Sequence, residues 1–153
     1  MRLFVGVWPS EEVLDAIDAL PRVGTARWTR RDQWHVTLRF LGDVADAEVD
    51  GWIATVKDAA SRCEPRIASL GPATKIFGRG VLMVPVTGLD DVAAALSAER
   101  FTGHLTLARN AYRAIAGAPI AASWNVTEIA LIRSDLGDGP ARYETIATGA
   151  FAR

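Results

Sequence analysis

One cysteine, two histidines and two lysines are all that 153 residues contain of those types, and each scarcity excludes something. A lone Cys63 forms no internal disulfide and no thiolate metal cluster, which suits a reducing compartment. It falls in a polar helix-to-strand loop, and no Gly-x-Ser-x-Gly occurs, so nothing points to a cysteine or serine nucleophile. His35 and His104 are too few for a histidine-built zinc site, and no acidic cluster at ligand spacing adds the missing positions, so no metal is expected. No apolar run approaches the roughly 20 residues of a membrane span, and Met1 to Trp8 is too short for a secretory leader. A cytoplasmic protein is expected. Seventeen basic residues against 18 acidic leave a formal charge of −1, so no overall positive field favours long duplex nucleic acid. Only Lys57 and Lys75 are lysines; the remaining basic residues are arginines, a preference attributed first to genome base composition, although arginine's planar fork also suits phosphate.

Half of the residues are hydrophobic, enough to bury a continuous core in one domain spanning 1–153. With no extra domain and little net charge, a monomer is expected. Arg2 to Trp8 is β-branched and aromatic and reads as a strand. Ser10 then starts a helix with Glu11 and Glu12 in its first turn and Val13, Leu14, Ile17 and Leu20 on one stripe. A short strand at 26–29 and a polar turn at 30–32 lead into a strand at 34–41. Val49, Trp52, Ile53 and Val56 mark a second amphipathic helix within 46–60. Strands at 66–70 and 74–77 come next, and Gly78-Arg79-Gly80 turns the chain into a strand at 81–86. Leu89, Val92 and Leu96 mark a short third helix before a strand at 103–108. The stretch 110–122 carries no assignable pattern, and Pro119 opposes one long helix there. Trp124 to Arg133 alternates as one strand, which Leu136 to Pro140 turns into a last strand at 143–151. The order is α+β.

Both histidines sit in the same local pattern. Trp34 to Gly42 reads W-H-V-T-L-R-F-L-G and Gly103 to Arg109 reads G-H-L-T-L-A-R, so each histidine has a threonine two residues on. In a strand that spacing sends both side chains to one face. Burying such a pair requires partners for its polar atoms, and two such pairs make sense if they line one wet cleft. Without a metal, two histidines suit acid–base chemistry at phosphorus: one takes a proton from water and the other gives one to the leaving oxygen. The threonine hydroxyls would serve the non-bridging oxygens as charge builds. Arg39 shares the parity of His35 and Thr37, Arg109 follows the second motif, and Trp34 and Tyr143 could stack a base. These four are candidate substrate contacts.

The sequence resembles the 2H phosphoesterases, named for two His-x-Thr/Ser motifs on opposed strands. Within them R-L-F-V-G-V-W-P, W-H-V-T-L-R-F-L-G-D, H-L-T-L-A-R and L-I-R-S-D-L…Y-E-T-I are similar to the bacterial and archaeal RNA 2′,3′-cyclic phosphodiesterases, also called 2′-5′ RNA ligases. The resemblance implies a two-lobed fold with two antiparallel sheets facing across a central cleft and helices outside. It implies hydrolysis of a 2′,3′-cyclic phosphate, at an RNA end or in a small nucleotide, to a 2′-phosphate, with no cofactor and with weak reverse 2′-5′ ligation. His35 would be the proton donor, His104 the proton acceptor, and Thr37 and Thr106 the phosphate contacts. A non-catalytic nucleotide-binding module and a 2′-5′ oligonucleotide phosphodiesterase are the alternatives. Two features depart from the pattern: Gly103 stands where a proline commonly precedes the second histidine, which would loosen the backbone, and the segment between the Val81 strand and His104 is short.

Overall fold

The computed structural model describes residues 1–22, 24–112 and 115–153. Strand β1 (Arg2–Val7) buries every residue after Arg2, as its unbroken apolar run requires of a strand covered on both faces. Helix α1 (Glu11–Asp18) starts where expected: the Ser10 hydroxyl accepts from the Val13 amide at 3.4 Å, and Val13 and Ile17 face the core. Arg31, in a 3-10 turn at Arg31–Gln33, reaches back to Glu11 at 2.7 Å and Asp15 at 2.9 Å, and also pairs with Asp18. This ties the turn before the first histidine to α1.

Strand β2 (Arg27–Trp28) is short, and β3 (Val36–Asp43) carries the first motif. Helix α2 (Val49–Ser61) is followed by β4 (Arg66–Leu70), β5 (Lys75–Phe77) and β6 (Val81–Thr87). Phe77 pairs with Val81, so the Gly-Arg-Gly segment is a hairpin turn. Helix α3 (Asp90–Ala95) and β7 (His104–Arg109) come next, then β8 (Ala122–Val126), β9 (Glu128–Asp135) and β10 (Arg142–Ala150).

The expected single strand over 124–133 divides in two at Thr127. Strand β8 pairs with β4, whereas β9 pairs with β1 and β10. Buried parity changes at the break, from Trp124 and Val126 to Ile129 and Leu131, and Ala130 and Ile132 are buried as well, so the alternation ends there and the chain moves between distant parts of the sheet. The unassigned stretch 110–122 includes residues 113 and 114, which lie outside the described residues. Pro119 within it forms a bridge with Ala73.

All ten strands join one antiparallel path, β10-β9-β1-β3-β7-β6-β4-β8, with β2 on β7 and β5 on β6. Two separate facing sheets are therefore not what forms: β6 bonds to both β4 and β7, and β3 bonds to β7, which makes the sheet continuous. The two motif strands lie side by side in its middle. One face packs Leu3, Val5, Val36, Leu38, Leu105 and Leu107 against the buried positions of all three helices. On the other face a smaller cluster of Phe4, Ala130 and Ile132 borders the first histidine.

Candidate active site

Both histidines stand at strand starts and not in strand interiors. His35 immediately precedes β3 and His104 is the first residue of β7. Val36 pairs antiparallel with Leu105, and both are fully buried. One step either way along this register sets His35 opposite Thr106 and Thr37 opposite His104. All four side chains then project from the face opposite the helices, and all four line the same cleft. The motifs meet as neighbours in one sheet, at close cross-strand spacing.

Close approach at this point is built into the sequence. Gly6, beside Thr37 in β1, could not carry a side chain: a Cβ would come within 2.8 Å of the Val36 carbonyl oxygen. Gly103 is tighter still, with a Cβ position 2.2 Å from the Val86 oxygen, and its own carbonyl accepts from the Val86 amide at 2.9 Å. The expectation that Gly103 loosens the backbone is thus corrected. Glycine here lets β6 and the chain entering β7 come into contact, and the hydrogen bond pins it.

Each ring is oriented by the carbonyl two residues before it. His35 Nδ1 lies 2.6 Å from the Gln33 oxygen and His104 Nδ1 lies 2.8 Å from the Thr102 oxygen. A carbonyl only accepts, so both Nδ1 atoms carry hydrogen and each Nε2 is the atom left for chemistry. In the neutral His35 ring, Nε2 accepts from the Thr37 hydroxyl at 2.9 Å.

The surroundings of the two rings differ. Around His35 stand Phe4, Tyr143 and Trp8, with ring centroids at 4.8, 5.1 and 5.9 Å. Burial in this aromatic cage, with a smaller contribution from His104, lowers the pKa of His35 below the usual histidine value against the raising effect of the Gln33 carbonyl. His104 is more open and stacks on the exposed Phe77 at 5.3 Å and 18°. Burial also raises the pKa of the Tyr143 phenol, opposed by Arg109 and Arg2.

The cleft has a volume of about 770 Å³, within the range of nucleotide-sized pockets. Arg2, Arg27, Arg30 and Arg109 line it, and among the described residues no carboxylate does. Arg27 and Arg109 sit directly opposite each other across β2 and β7, a like-charge juxtaposition that an anion relieves. No cluster of three or more potential metal-ligating side chains occurs among the described residues.

Of the other candidate contacts, Tyr143 and Arg109 reach the cleft. Arg109 does so despite its odd parity, because β7 shifts register against β6 at Leu107, between the pairs Met83–Thr106 and Leu82–Ala108. Trp34 does not: it is 1% exposed, and its Nε1 donates to the Thr29 hydroxyl at 2.9 Å, as befits a residue one position out of phase with His35. Arg39 also stays outside this cleft. Its Nη1 donates to the Leu96 carbonyl at 2.6 Å, and its guanidinium lies 5.0 Å from the Trp52 ring centroid. The β3 backbone shifts register against β1 in this region, so parity counted from His35 no longer fixes where Arg39 goes. Sequence reading missed Phe4, Trp8 and Phe77. The even parity of Phe4 in β1 is a signal that the alternate face of that strand carries aromatic character; for Phe77 the sequence holds no such signal.

A family model described as LigT-like phosphoesterase matches residues 5–71. E. coli LigT complexed with phosphate is 28% identical, with a TM-score of 0.80 and 99% of this chain and 98% of that chain covered. The same protein complexed with 3′-AMP is 27% identical, with the same TM-score and coverage. TT0787 of Thermus thermophilus is 26% identical, with a TM-score of 0.85, 99% of this chain and 98% of that chain covered. No curated protein sequence matches. An antiparallel sheet presenting two His-x-Thr pairs on adjacent strands is the architecture of a two-histidine phosphoesterase. Within that class, residues 5–71 match the LigT-like phosphoesterase model, and the chain over nearly its whole length is similar in fold to E. coli LigT.

Proposed function

We propose that this protein hydrolyses 2′,3′-cyclic phosphates at RNA ends, or in small cyclic nucleotides, to 2′-phosphates without a metal. The observation that carries this reading is the juxtaposition of both His-x-Thr pairs at the floor of an arginine-lined cleft free of carboxylates among the described residues. Binding of phosphate and of 3′-AMP by E. coli LigT supports it. The two halves of the sheet on either side of the β3–β7 seam are read as two lobes of one domain.

In this reading His104 Nε2 takes a proton from water as the water oxygen attacks phosphorus. The bond from phosphorus to O3′ breaks, and His35 Nε2 gives its proton to that oxygen, leaving a 2′-phosphate and a 3′-hydroxyl. Thr37 and Thr106 face the non-bridging oxygens, where charge accumulates. Arg109, with Arg2 and Arg27, neutralises the phosphate, and Tyr143 lies against the sugar or base. With a ribose 5′-hydroxyl in place of water, the same groups join two ends: the 5′ oxygen bonds to phosphorus and gives its proton to His104 as the bond to O3′ breaks and His35 protonates O3′, leaving a 2′-5′ diester and a 3′-hydroxyl. A cytoplasmic monomer acting on RNA completes the reading.

The test is turnover of 2′,3′-cyclic AMP and of an oligonucleotide ending in a cyclic phosphate, with EDTA present. His35→Ala and His104→Ala should each lower kcat by about 10²–10⁴-fold, the usual range for a general acid or base. Loss of wild-type turnover in EDTA, or a fall of less than about tenfold in either variant, refutes the mechanism. Nucleotide binding with no hydrolysis would identify a binding module, and cleavage restricted to internal 2′-5′ linkages would identify a 2′-5′ phosphodiesterase.

A further inference from the structure

Arg39 does not line the arginine-rich cleft, although it lies two residues beyond Thr37 in the first motif strand; it lines an adjoining hollow that Thr37 and His104 share with residues 97–102. We infer that Arg39 is a positioning residue that ties the first motif strand to the segment presenting His104. Its guanidinium crosses from β3 to the end of α3 and donates to the carbonyl of Leu96, the residue capping that helix, at 2.6 Å. Terminal helix carbonyls lack intrahelical donors, and a charged donor holds one in a defined place. The Trp52 indole of α2 supports the guanidinium from its face at 5.0 Å.

Beyond Leu96, the segment 97–103 delivers His104. Ser97 and Arg100 both take left-handed backbone angles, with φ of 58° and 53°, at non-glycine positions. Such angles persist only where the flanking structure imposes them. The segment is held at its far end by the Val86 amide on the Gly103 carbonyl, at 2.9 Å, and there the Thr102 carbonyl orients the His104 ring at 2.8 Å. Arg39 anchors the near end. The strand bearing His35 thereby sets the point from which the chain approaches His104, and the spacing of the two histidines is fixed through a side chain as well as through the brief β3–β7 pairing.

This inference rests on the proposed reaction for its kinetic arm but not for its structural arm. Arg39→Met keeps the apolar stem over Trp52 and removes the donor; Arg39→Lys keeps a donor. In Arg39→Met, amide hydrogen exchange over 97–103 should accelerate about tenfold while β1, β9 and β10 are unchanged, the His104 imidazole resonances should shift, and those of His35 should not. Turnover of cyclic phosphate should fall about tenfold in kcat with KM within about twofold, since a displacement of about 1 Å at a reacting group can cost up to 10²-fold. Arg39→Lys should recover part of both effects. Unchanged exchange overturns the inference, as does accelerated exchange with unchanged kcat. A rise in KM alone would make Arg39 a substrate contact and also overturn it. If Arg39→Met does not fold, Arg39→Gln is measured in its place; failure of both to fold shows a tie that holds the whole fold and overturns the specific role. Absence of wild-type hydrolysis refutes the proposed function alone, and exchange together with the His104 resonances still decides the positioning.

Discussion

Replacing Gly103 by alanine tests whether the close approach of β6 to the second motif matters. The new Cβ would lie 2.2 Å from the Val86 oxygen, about 0.8 Å inside the closest approach real Cβ atoms show, and backbone rather than a flexible side-chain end receives the clash. Relief requires separating the two chains, which breaks the 2.9 Å hydrogen bond from the Val86 amide to the Gly103 carbonyl. A lost hydrogen bond of about 0.5–1.5 kcal/mol and an overpacking cost of about 1–3 kcal/mol together give a destabilisation of about 1.5–4.5 kcal/mol. For a chain of this size that is a fall of about 3–18 °C in Tm. The same movement carries the neighbouring His104 by a sizeable fraction of an ångström, so kcat should fall by about 10-fold or more. Gly103→Pro carries a Cβ at the same place and should do no better than alanine. Thermal unfolding followed by circular dichroism and a cyclic-phosphate hydrolysis assay read both effects. Either variant with an unchanged Tm and unchanged kcat would show that the β6–β7 entry relaxes freely, and the reasoning would fail.

The site yields two more expected outcomes. His35 must be protonated to donate and burial lowers its pKa, so the alkaline limb of kcat/KM that it governs should lie at lower pH than for an ordinary histidine; opening the cage with Trp8→Ala should move that limb to higher pH, and a limb that stays in place refutes the role of the cage. Trp34→Phe removes the indole donor from the Thr29 hydroxyl, which itself donates to the Leu107 carbonyl at 2.8 Å. It should cost about 0.5–2 kcal/mol in urea unfolding with KM unchanged, whereas a large KM effect would return Trp34 to the binding surface.

The local pattern of each motif was legible because a strand has a period of two: His35 with Thr37 and His104 with Thr106 share a face by spacing alone. The same period sets Trp34 out of phase with His35, which the expectation of a base-stacking contact overlooked, and its side chain is buried. How the two strands meet was not legible. Register between strands far apart in the chain depends on turn geometry, sheet twist and core packing rather than on any local signal, and the facing sheets that the family resemblance implied are one sheet here. Arg39 shows the limit of counting by twos, since it shares parity with His35 yet reaches an α3 carbonyl. The merged strand at 124–133 failed for a related reason: the two apolar stretches are separated only by Thr127 and Glu128, and the change of buried parity across that short gap is where the chain changes partners. Gly103 was recognisable as unusual, but its effect had the opposite sign, because the Val86 oxygen that excludes a side chain comes from a different strand.

The register that sets His35 opposite Thr106 and Thr37 opposite His104 gives the four-residue floor a local near-dyad. A dyad-related pair of proton carriers has no intrinsic means of telling one ribose oxygen from the other. Regiochemistry must come from the walls, and these are unlike: aromatic rings crowd His35, while His104 stands open beside Phe77. For the proposed reaction, the choice of which ester bond breaks is therefore a property of the cage. Remodelling Phe4, Trp8 and Tyr143 while leaving both histidines intact is the route by which the product could be changed from a 2′- to a 3′-phosphate.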